Sequence, residues 1–317
     1  MCRTVPYNLC IIGMFFIAFI LPEHVYAGEP DDKKPKALLD CRYGSSYGQT
    51  DDMTASEAFP SDDVFRPLLA DPKQPQFFAI VQSTRDRTNN TTSNIGSVAI
   101  GENFGFYTKR QGCNGWQVGL LTGIFSQFNL DRSNAELINT DFVVGIPLTW
   151  RAGNWSTRFR WLHQSSHLGD EFLAANPGFK SLNLTYEEVE AIVSYDYKWA
   201  RMYVGGGYLV HREPSTINRN RVQWGFEARG PSMRTRILGG FLDKLILTPV
   251  LTADFKSIEE QNWIISTNVL GGLEWSRTGS LRRFRIMMNY FHGYNPYGQF
   301  FVQTKVETVG VGAYFTF

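Results

Sequence analysis

Long alternating runs fill the chain from residue 76 to its end, and they restrict the fold more than any other feature of the sequence. The runs are roughly 11 to 17 residues long, rich in β-branched, aromatic and glycine residues, and separated by turn-forming residues. Strands of soluble proteins average roughly 5–6 residues, whereas a tilted strand needs roughly 9–11 residues to cross a bilayer. The pattern therefore predicts an all-β fold, an antiparallel transmembrane β-barrel of about twelve strands over residues 76–317. The predicted strands are Gln76–Arg85, Ile95–Lys109, Trp116–Asn129, Ile138–Trp150, Trp155–His167, Leu182–Lys198, Met202–Arg212, Arg219–Arg229, Leu245–Lys256, Trp263–Arg277, Arg282–His292 and Phe301–Phe317.

The last run favours a membrane barrel because its two faces differ. Alternate residues of a strand point to opposite faces, and one face here carries Val309, Val311, Ala313, Phe315 and Phe317. The chain ends on this phenylalanine, which resembles the C-terminal signature that the barrel assembly machinery of bacterial outer membranes recognises. An even number of strands then places both chain ends in the periplasm and the longer loops outside the cell. We therefore predict a location in the bacterial outer membrane, with the assembly machinery as a partner.

The N-terminus has the pattern of a secretory signal peptide over residues 1–27. Arg3 precedes the apolar run Leu9–Leu21, and Val25-Tyr26-Ala27 supplies the small residues that a signal peptidase requires. The apolar run is too short for a spanning helix, which needs roughly 20 residues. Residues 28–75 are polar and rich in proline and aspartate, so we predict a short periplasmic N-terminal extension there.

Charge and cysteine content narrow the possible partners and the compartment. The formal net charge of +1 argues against a nucleic-acid partner. Cys41 and Cys113 are the cysteines that remain after removal of the signal peptide. In an oxidising compartment they could form one disulfide, with two free thiols as the alternative.

The predicted strand Trp155–His167 brings a histidine and a serine together on one face. Its outer face would carry Trp155, Thr157, Phe159, Trp161, His163 and Ser165. Arg158 and Arg160 would face the lumen, where neighbouring registers place Glu188 and Glu190 of the next strand within reach. Since this strand runs outward from the periplasm, His163 and Ser165 would lie near the outer leaflet.

A serine and a histidine at this spacing could hydrolyse lipid esters. A serine hydroxyl becomes a nucleophile when a neighbouring base removes its proton, and histidine can later protonate the leaving group. A third group that holds the imidazole can be a carboxylate or an amide carbonyl, and Asn183 would head the next strand on the same face. A site on the lipid face is reached by molecules in the membrane, so phospholipid or lipopolysaccharide esters are the expected substrates.

His163-Gln164-Ser165, followed by Asn183, resembles the site of outer-membrane phospholipase A. That family is a twelve-stranded barrel with a His-x-Ser on one strand and an asparagine on the next. The resemblance implies Ser165 as the nucleophile, His163 as the general base and Asn183 as the orienting residue. It also implies calcium dependence and activity as a homodimer, and Asp170 and Glu171 could supply carboxylate ligands for calcium. The family's Asn-Gly after the serine is replaced here by Ser166-His167.

Two further resemblances leave alternatives open. His-x-Ser on a lipid-facing strand also resembles the lipid A deacylase barrels, in which a glutamate is the third member, and Glu187 could take that role here. The segments FRPLLADPKQPQFF and HQSSHLGDEF resemble a family of bacterial envelope proteins of unknown function. The sequence thus supports two hypotheses: a serine lipid acyl hydrolase, or a non-enzymatic envelope barrel that is a narrow pore or a structural protein.

Overall fold

The computed structural model describes residues 54–234, 245–277, 280–302 and 304–316. The predicted signal peptide and Cys41 lie outside these ranges. Cys113 is disulfide-bonded, which confirms that this cysteine is oxidised. No helix in the described ranges has the length and apolar character needed to cross a membrane.

Twelve antiparallel strands close into a barrel, because β2 pairs with both β3 and β14. The predicted fold class and strand number are therefore confirmed. A short strand, β1, pairs with β3, and the two-residue β10 pairs with β11. The strands are β1 (Thr54–Ala58), β2 (Phe77–Asp86), β3 (Thr91–Gln111), β4 (Asn114–Asn129), β5 (Glu136–Ala152), β6 (Trp155–Leu168), β7 (Leu184–Tyr197), β8 (Ala200–Glu213), β9 (Asn220–Arg229), β10 (Met233–Arg234), β11 (Leu245–Ile258), β12 (Ile265–Arg277), β13 (Arg283–Tyr294) and β14 (Lys305–Thr316). The helices are α1 (Asp170–Ala175) and the 3₁₀ turns Glu259–Gln261 and Gly298–Phe301.

The two faces of the barrel wall have opposite character. On β6, Trp155, Phe159 and Trp161 are exposed, whereas Arg158 and Arg160 are buried. The same alternation holds on β14, where Val309 and Val311 are exposed. An apolar, aromatic outer face around a polar interior characterises barrels that span the bacterial outer membrane. The chain is such an outer-membrane barrel.

The connections at the two ends of the barrel differ in length, as the sequence predicted. At the end that carries the start of β2 and the end of β14, two-residue turns join β3 to β4, β5 to β6 and β7 to β8. Gly112 and Gly153 take positive φ values of 57° in two of these turns, which glycine adopts without steric cost. The opposite end carries longer loops, among them the one that contains α1. Short turns are typical of the periplasmic side and long loops of the outer side.

Residues 59–76, which we call the inward segment, leave the wall between β1 and β2 and enter the lumen. A Cβ at Gly105 would lie 2.6 Å from Pro60 Cγ, and one at Gly101 would lie 2.9 Å from Pro75 Cβ. The segment therefore leaves and rejoins the wall beside two glycines of β3. Its apolar residues are buried in the barrel: Val64, Phe65, Leu68, Leu69 and Ala70.

This arrangement differs from the predicted periplasmic extension over residues 28–75. In the described part of that range, Thr54–Ala58 is a strand paired with β3, and the following residues occupy the lumen. The segment is held in the lumen by ion pairs with residues that are far away in the sequence. Lys73 Nζ lies 2.5 Å from Asp141 Oδ2, and Lys256 Nζ lies 2.5 Å from Asp71 Oδ1.

Backbone groups of the inward segment are bonded to the wall as well. Glu227 Oε1 accepts a hydrogen bond from the Leu69 N–H at 2.9 Å. The Asn268 amide donates to the Ala70 carbonyl at 2.7 Å. Buried backbone groups need such partners, so the lumen side chains fix the path of the segment residue by residue.

Candidate active site

The pairing of β6 with β7 determines which residues surround the predicted serine. His163 lies directly opposite Glu187, and Ser165 lies opposite Thr185. His163, Ser165 and Glu187 alternate with buried residues on their strands and lie on the outer face of the barrel. Both strands reach this point near the end that carries the long loops, so the group is close to the outer rim, as predicted.

Glu187 is the carboxylate next to the histidine. Its Oε1 lies 4.0 Å from His163 Nδ1, and the two side chains are 37% and 35% exposed. A carboxylate at this nitrogen can hold the imidazole and leave Nε2 free to face the serine. No hydrogen bond within the described ranges includes the Ser165 hydroxyl, and catalytic contacts in unliganded enzymes are often made only when substrate binds.

Asn183 lies farther from the histidine than Glu187 does. It is an exposed residue just before β7 begins at Leu184. Thr185, two residues after Asn183, is the partner of Ser165. Glu187, two residues after Thr185, is the partner of His163. Asn183 therefore continues the outer face beyond Ser165, on the side away from His163.

The neighbours of the site on its two sides are chemically different. On the β5 side, Phe142 lies opposite Ser165 and Val144 lies opposite His163. Both are exposed on the outer face. On the far side of β7, His211 of β8 lies opposite Glu187 beside a β-bulge. The serine and histidine thus lie between an apolar surface and a polar row, and the sequence alone did not reveal His211 as a neighbour.

A family model described as "Protein of unknown function (DUF1207)" matches residues 29–317. The chain belongs to this family. A search of curated proteins found no match.

The DUF1207 member is similar in structure to the outer membrane phospholipase of Salmonella typhi, which was solved as a dimer with bound calcium. The identity is 13% over 78% of this chain and 93% of that chain, and the TM-score is 0.49. For outer membrane phospholipase A of Escherichia coli the identity and coverage are the same and the TM-score is 0.48. For the β domain of the Bordetella autotransporter BrkA the identity is 11%, the coverage 77% and 98%, and the TM-score 0.39.

The predicted calcium ligands of this DUF1207 member form a poor donor set. Asp170 and Glu171 lie in the first turn of α1 and are exposed. Within the described ranges, no group of three or more His, Cys, Asp or Glu side chains is placed to hold a metal. Calcium takes six to eight oxygen ligands, and these two carboxylates would supply a minority of them, so we assign no catalytic step to calcium.

Behind the site, buried ion pairs join β6 and β7 of the DUF1207 member on the lumen side. Arg158 Nη2 lies 2.9 Å from Glu190 Oε1, and Arg160 Nη2 lies 2.6 Å from Glu190 Oε2. These contacts confirm the predicted lumen pairing of the two arginines with Glu190. Glu188 instead pairs with Arg221, at 3.1 Å. Two strands bonded on their inner face give the outer-face residues a rigid support.

Proposed function

We propose that this barrel hydrolyses acyl esters of lipids in the outer leaflet. Ser165 is the nucleophile, His163 the general base and Glu187 the residue that orients the imidazole. The observation that carries the proposal is the outer-face group of these three side chains, with His163 Nδ1 next to the Glu187 carboxylate. Glu187 takes the third position, in agreement with the resemblance to lipid A deacylase barrels.

The reaction follows from the acid–base properties of the three groups. His163 Nε2 removes the proton of the Ser165 hydroxyl while Oγ attacks the ester carbonyl carbon. The carbonyl–oxygen bond then breaks, the leaving alcohol takes the proton from the imidazolium, and the acyl group remains on Ser165. Water, deprotonated by the same imidazole, releases the fatty acid and restores the serine. Glu187 stabilises the imidazolium that forms in both steps.

The surroundings of the serine suit a substrate that remains in the membrane. Phe142 and Val144 are 44% and 39% exposed on the β5 side of the site. They offer an apolar surface on which an acyl chain can lie beside the attacking oxygen. Phospholipids and lipopolysaccharide both present acyl esters at this depth, so both are candidate substrates.

The decisive experiment compares Ser165→Ala with a matched variant on the same face of β6. Fatty acid release is measured from detergent micelles that contain either phospholipid or lipopolysaccharide, with the folded full-length barrel. We expect Ser165→Ala to abolish release and Thr157→Ala, an outward residue at the other end of β6, to retain it. Wild-type rates in Ser165→Ala would rule out the proposal.

The alternative of an open pore receives less support from the lumen. The inward segment crosses the interior, and its Lys73 and Asp71 are bound to opposite parts of the wall, on β5 and β11. Phe65 lies between two arginines, 5.1 Å from the Arg158 guanidinium carbon and 4.6 Å from that of Arg201. The inward segment therefore occupies the middle of the lumen.

A further inference from the structure

The barrel wall has a break beside β3. On one edge of β3, residues Thr91–Ala99 pair with β2 and residues Tyr107–Gln111 pair with β1. Among the described residues, no strand pairs with Gly101–Gly105 on that edge, although β4 pairs with them on the other. The Asn103 N–H is instead bonded by the neighbouring Glu102 carboxylate, at 3.1 Å. An open edge of this kind is unusual in a membrane barrel, where closure satisfies the backbone groups.

A cavity of about 610 Å³ extends from this break into the lumen. Its lining includes Glu102 and Phe104 of β3, which lie on the outer face, together with Arg151 and Arg229, which are buried inside. The same space therefore reaches both sides of the wall. Its volume lies within the range of roughly 300–1,000 Å³ that is typical of small-molecule sites.

The outer part of the cavity is apolar. Phe59, Phe77 and Phe104 line it where the wall is open, and Phe59 and Phe104 are 77% and 51% exposed. The break lies in the half of β3 that leads to the β3–β4 turn. Exposed aromatic rings at this position offer a surface for acyl chains.

The inner part of the cavity is rich in arginine. Six arginines line the space: Arg66, Arg110, Arg151, Arg229, Arg283 and Arg285. At the mouth, Arg110 is paired with Asp62 at 2.7 Å.

Deeper in the cavity, arginines outnumber carboxylates among the described residues. Asp196 binds Arg66 and Arg151, and Glu227 lies near Arg201 and Arg229. The Glu274 carboxylate lies near three guanidinium groups, those of Arg229, Arg283 and Arg285. Among the described residues, the lining of the cavity itself contains six arginines and five carboxylates, the latter being Asp62, Asp63, Glu102, Glu227 and Glu274.

Some guanidinium nitrogens of this cluster lack a hydrogen-bond partner. On Arg66, which lines the cavity, they are Nε and Nη1, and both atoms are shielded from solvent. A buried donor without an acceptor is costly, and a buried charge more so. An anion inside the cavity would balance the excess of arginine over carboxylate charge in its lining.

We propose that this cavity binds a membrane phospholipid, with its phosphate on the arginines of the lining and its acyl chains in the break beside β3. Arginine binds phosphate oxygens through paired, charge-assisted hydrogen bonds. The two ends of the site match the two ends of such a lipid, apolar at the wall and cationic inside. An outer-face groove lined by Phe77, Glu102 and Phe104 of this cavity also reaches Phe142, Val144 and His163, so the cavity lies beside the candidate active site.

The test titrates the full-length barrel, in a nonionic detergent, with defined probes and detects bound molecules by native mass spectrometry. Dimyristoyl phosphatidylglycerol carries both parts of the ligand. Dimyristoyl glycerol lacks the phosphate, glycerol 1-phosphate lacks the tails, and myristate replaces the phosphate by a carboxylate. The Ser165→Ala variant serves as the background, so that the outcome does not depend on lipid hydrolysis.

We expect phosphatidylglycerol to bind with 1:1 stoichiometry and each of the other three probes to bind at least about tenfold more weakly. Equal binding of dimyristoyl glycerol or myristate would overturn the phosphate assignment. Equal binding of glycerol 1-phosphate would overturn the assignment to a lipid.

Two variants locate the bound lipid. Leu281 lines the cavity from the turn before β13, so Leu281→Glu adds a negative charge there while Leu281→Gln is its neutral control. We expect Leu281→Glu and Arg283→Gln to weaken phosphatidylglycerol binding about tenfold, and Leu281→Gln to leave it unchanged. Arg221→Gln, in the other half of the lumen, controls for loss of a buried arginine. Unchanged binding in Leu281→Glu and Arg283→Gln, with folding confirmed by heat-modifiable electrophoretic mobility, would contradict the proposal.

Discussion

His163 Nδ1 lies 4.0 Å from Glu187 Oε1, across the pair of strands that also carries Ser165. This relationship depends on strand register. A shift of two residues between β6 and β7 would have kept the same faces and placed Thr185 or Val189 opposite the histidine. The register places the Glu187 carboxylate, rather than Asn183, directly across from the imidazole.

Glu187→Gln is expected to reduce kcat for lipid ester hydrolysis by about 10²-fold or more, because an uncharged amide stabilises the imidazolium poorly. Asn183→Ala is the matched comparison, and we expect its kcat to remain within about tenfold of wild type. Initial rates of fatty acid release over a range of pH measure both. A larger loss in Asn183→Ala than in Glu187→Gln would assign the orienting role to the asparagine.

Exposed carboxylates of α1 are not expected to control activity. The double variant Asp170→Asn/Glu171→Gln should hydrolyse lipid at a rate within about twofold of wild type at equal free calcium, because calcium needs more oxygen ligands than this turn supplies. Rates are compared with and without a chelator. If the double variant alone loses a calcium response that the wild type has, the two residues are ligands.

Asp71→Asn is expected to destabilise the barrel strongly. Burial alone would raise the pKa of Asp71, but the Lys256 ammonium, 2.5 Å away, lowers it to about 2. Removal of the carboxylate leaves the partly buried Lys256 cation without its ion-pair partner, a change that costs up to about 3–5 kcal/mol of unfolding free energy. Urea unfolding in lipid vesicles measures this cost. The double variant Asp71→Leu/Lys256→Met should recover most of it, and failure to do so would indicate a packing effect instead of a charge effect.

The stability of the barrel should fall as the pH rises between about 4 and 7 because of Asp63. Burial raises the pKa of Asp63 to about 7, although the hydrogen bond from Asn103 opposes the shift. The folded chain then binds a proton that the unfolded chain, with an aspartate pKa near 3.8, has released. The stabilisation from the protonated Asp63 is complete below the pKa that this residue has in the unfolded chain. It is lost as the pH rises through the pKa that the residue has in the folded chain. Asp63→Asn should flatten this part of the curve, measured as unfolding free energy at pH 5 and pH 8, and an unchanged slope would contradict the assignment.

The inward segment is expected to keep the barrel closed to ions. In planar bilayers the wild type should show no steady conductance, because the segment fills the lumen between β5 and β11. Replacement of residues 60–75 by a Gly/Ser linker of equal length should open a conducting path. Conductance of the wild type equal to that of the replacement would show that the segment does not obstruct the lumen.

The barrel could be predicted from the sequence because a strand repeats every two residues, and a dozen long repeats point to one architecture. The faces of Trp155 and Arg158 followed from the same rule, and the structure confirms both. The repeat does not fix register, since any shift by two residues preserves the faces, and the loop before β7 is long enough to allow several. The pairing of His163 with Glu187 was therefore one option among others.

The inward segment could not be predicted in the same way. It has no repeat, and its stabilising partners are far away in the sequence: Lys73 meets Asp141, and Asp71 meets Lys256. Its charges and prolines have the composition of a solvated linker. The local sequence signal of a position in the lumen was the pair of apolar residues Leu68 and Leu69 within the motif FRPLLADP. Both are buried in the structure.

The inward segment also connects parts of the barrel wall that are far apart in the sequence. The segment is joined to the wall at both ends, through β1 and β2, and its partners are spread over β5, β7, β9, β11 and β12. The seam between β2 and β14 joins the first and last of the twelve barrel strands. The inward segment therefore joins strands from β5 to β12 through the interior, so that the wall is linked by contacts in the lumen as well as by its backbone ladder.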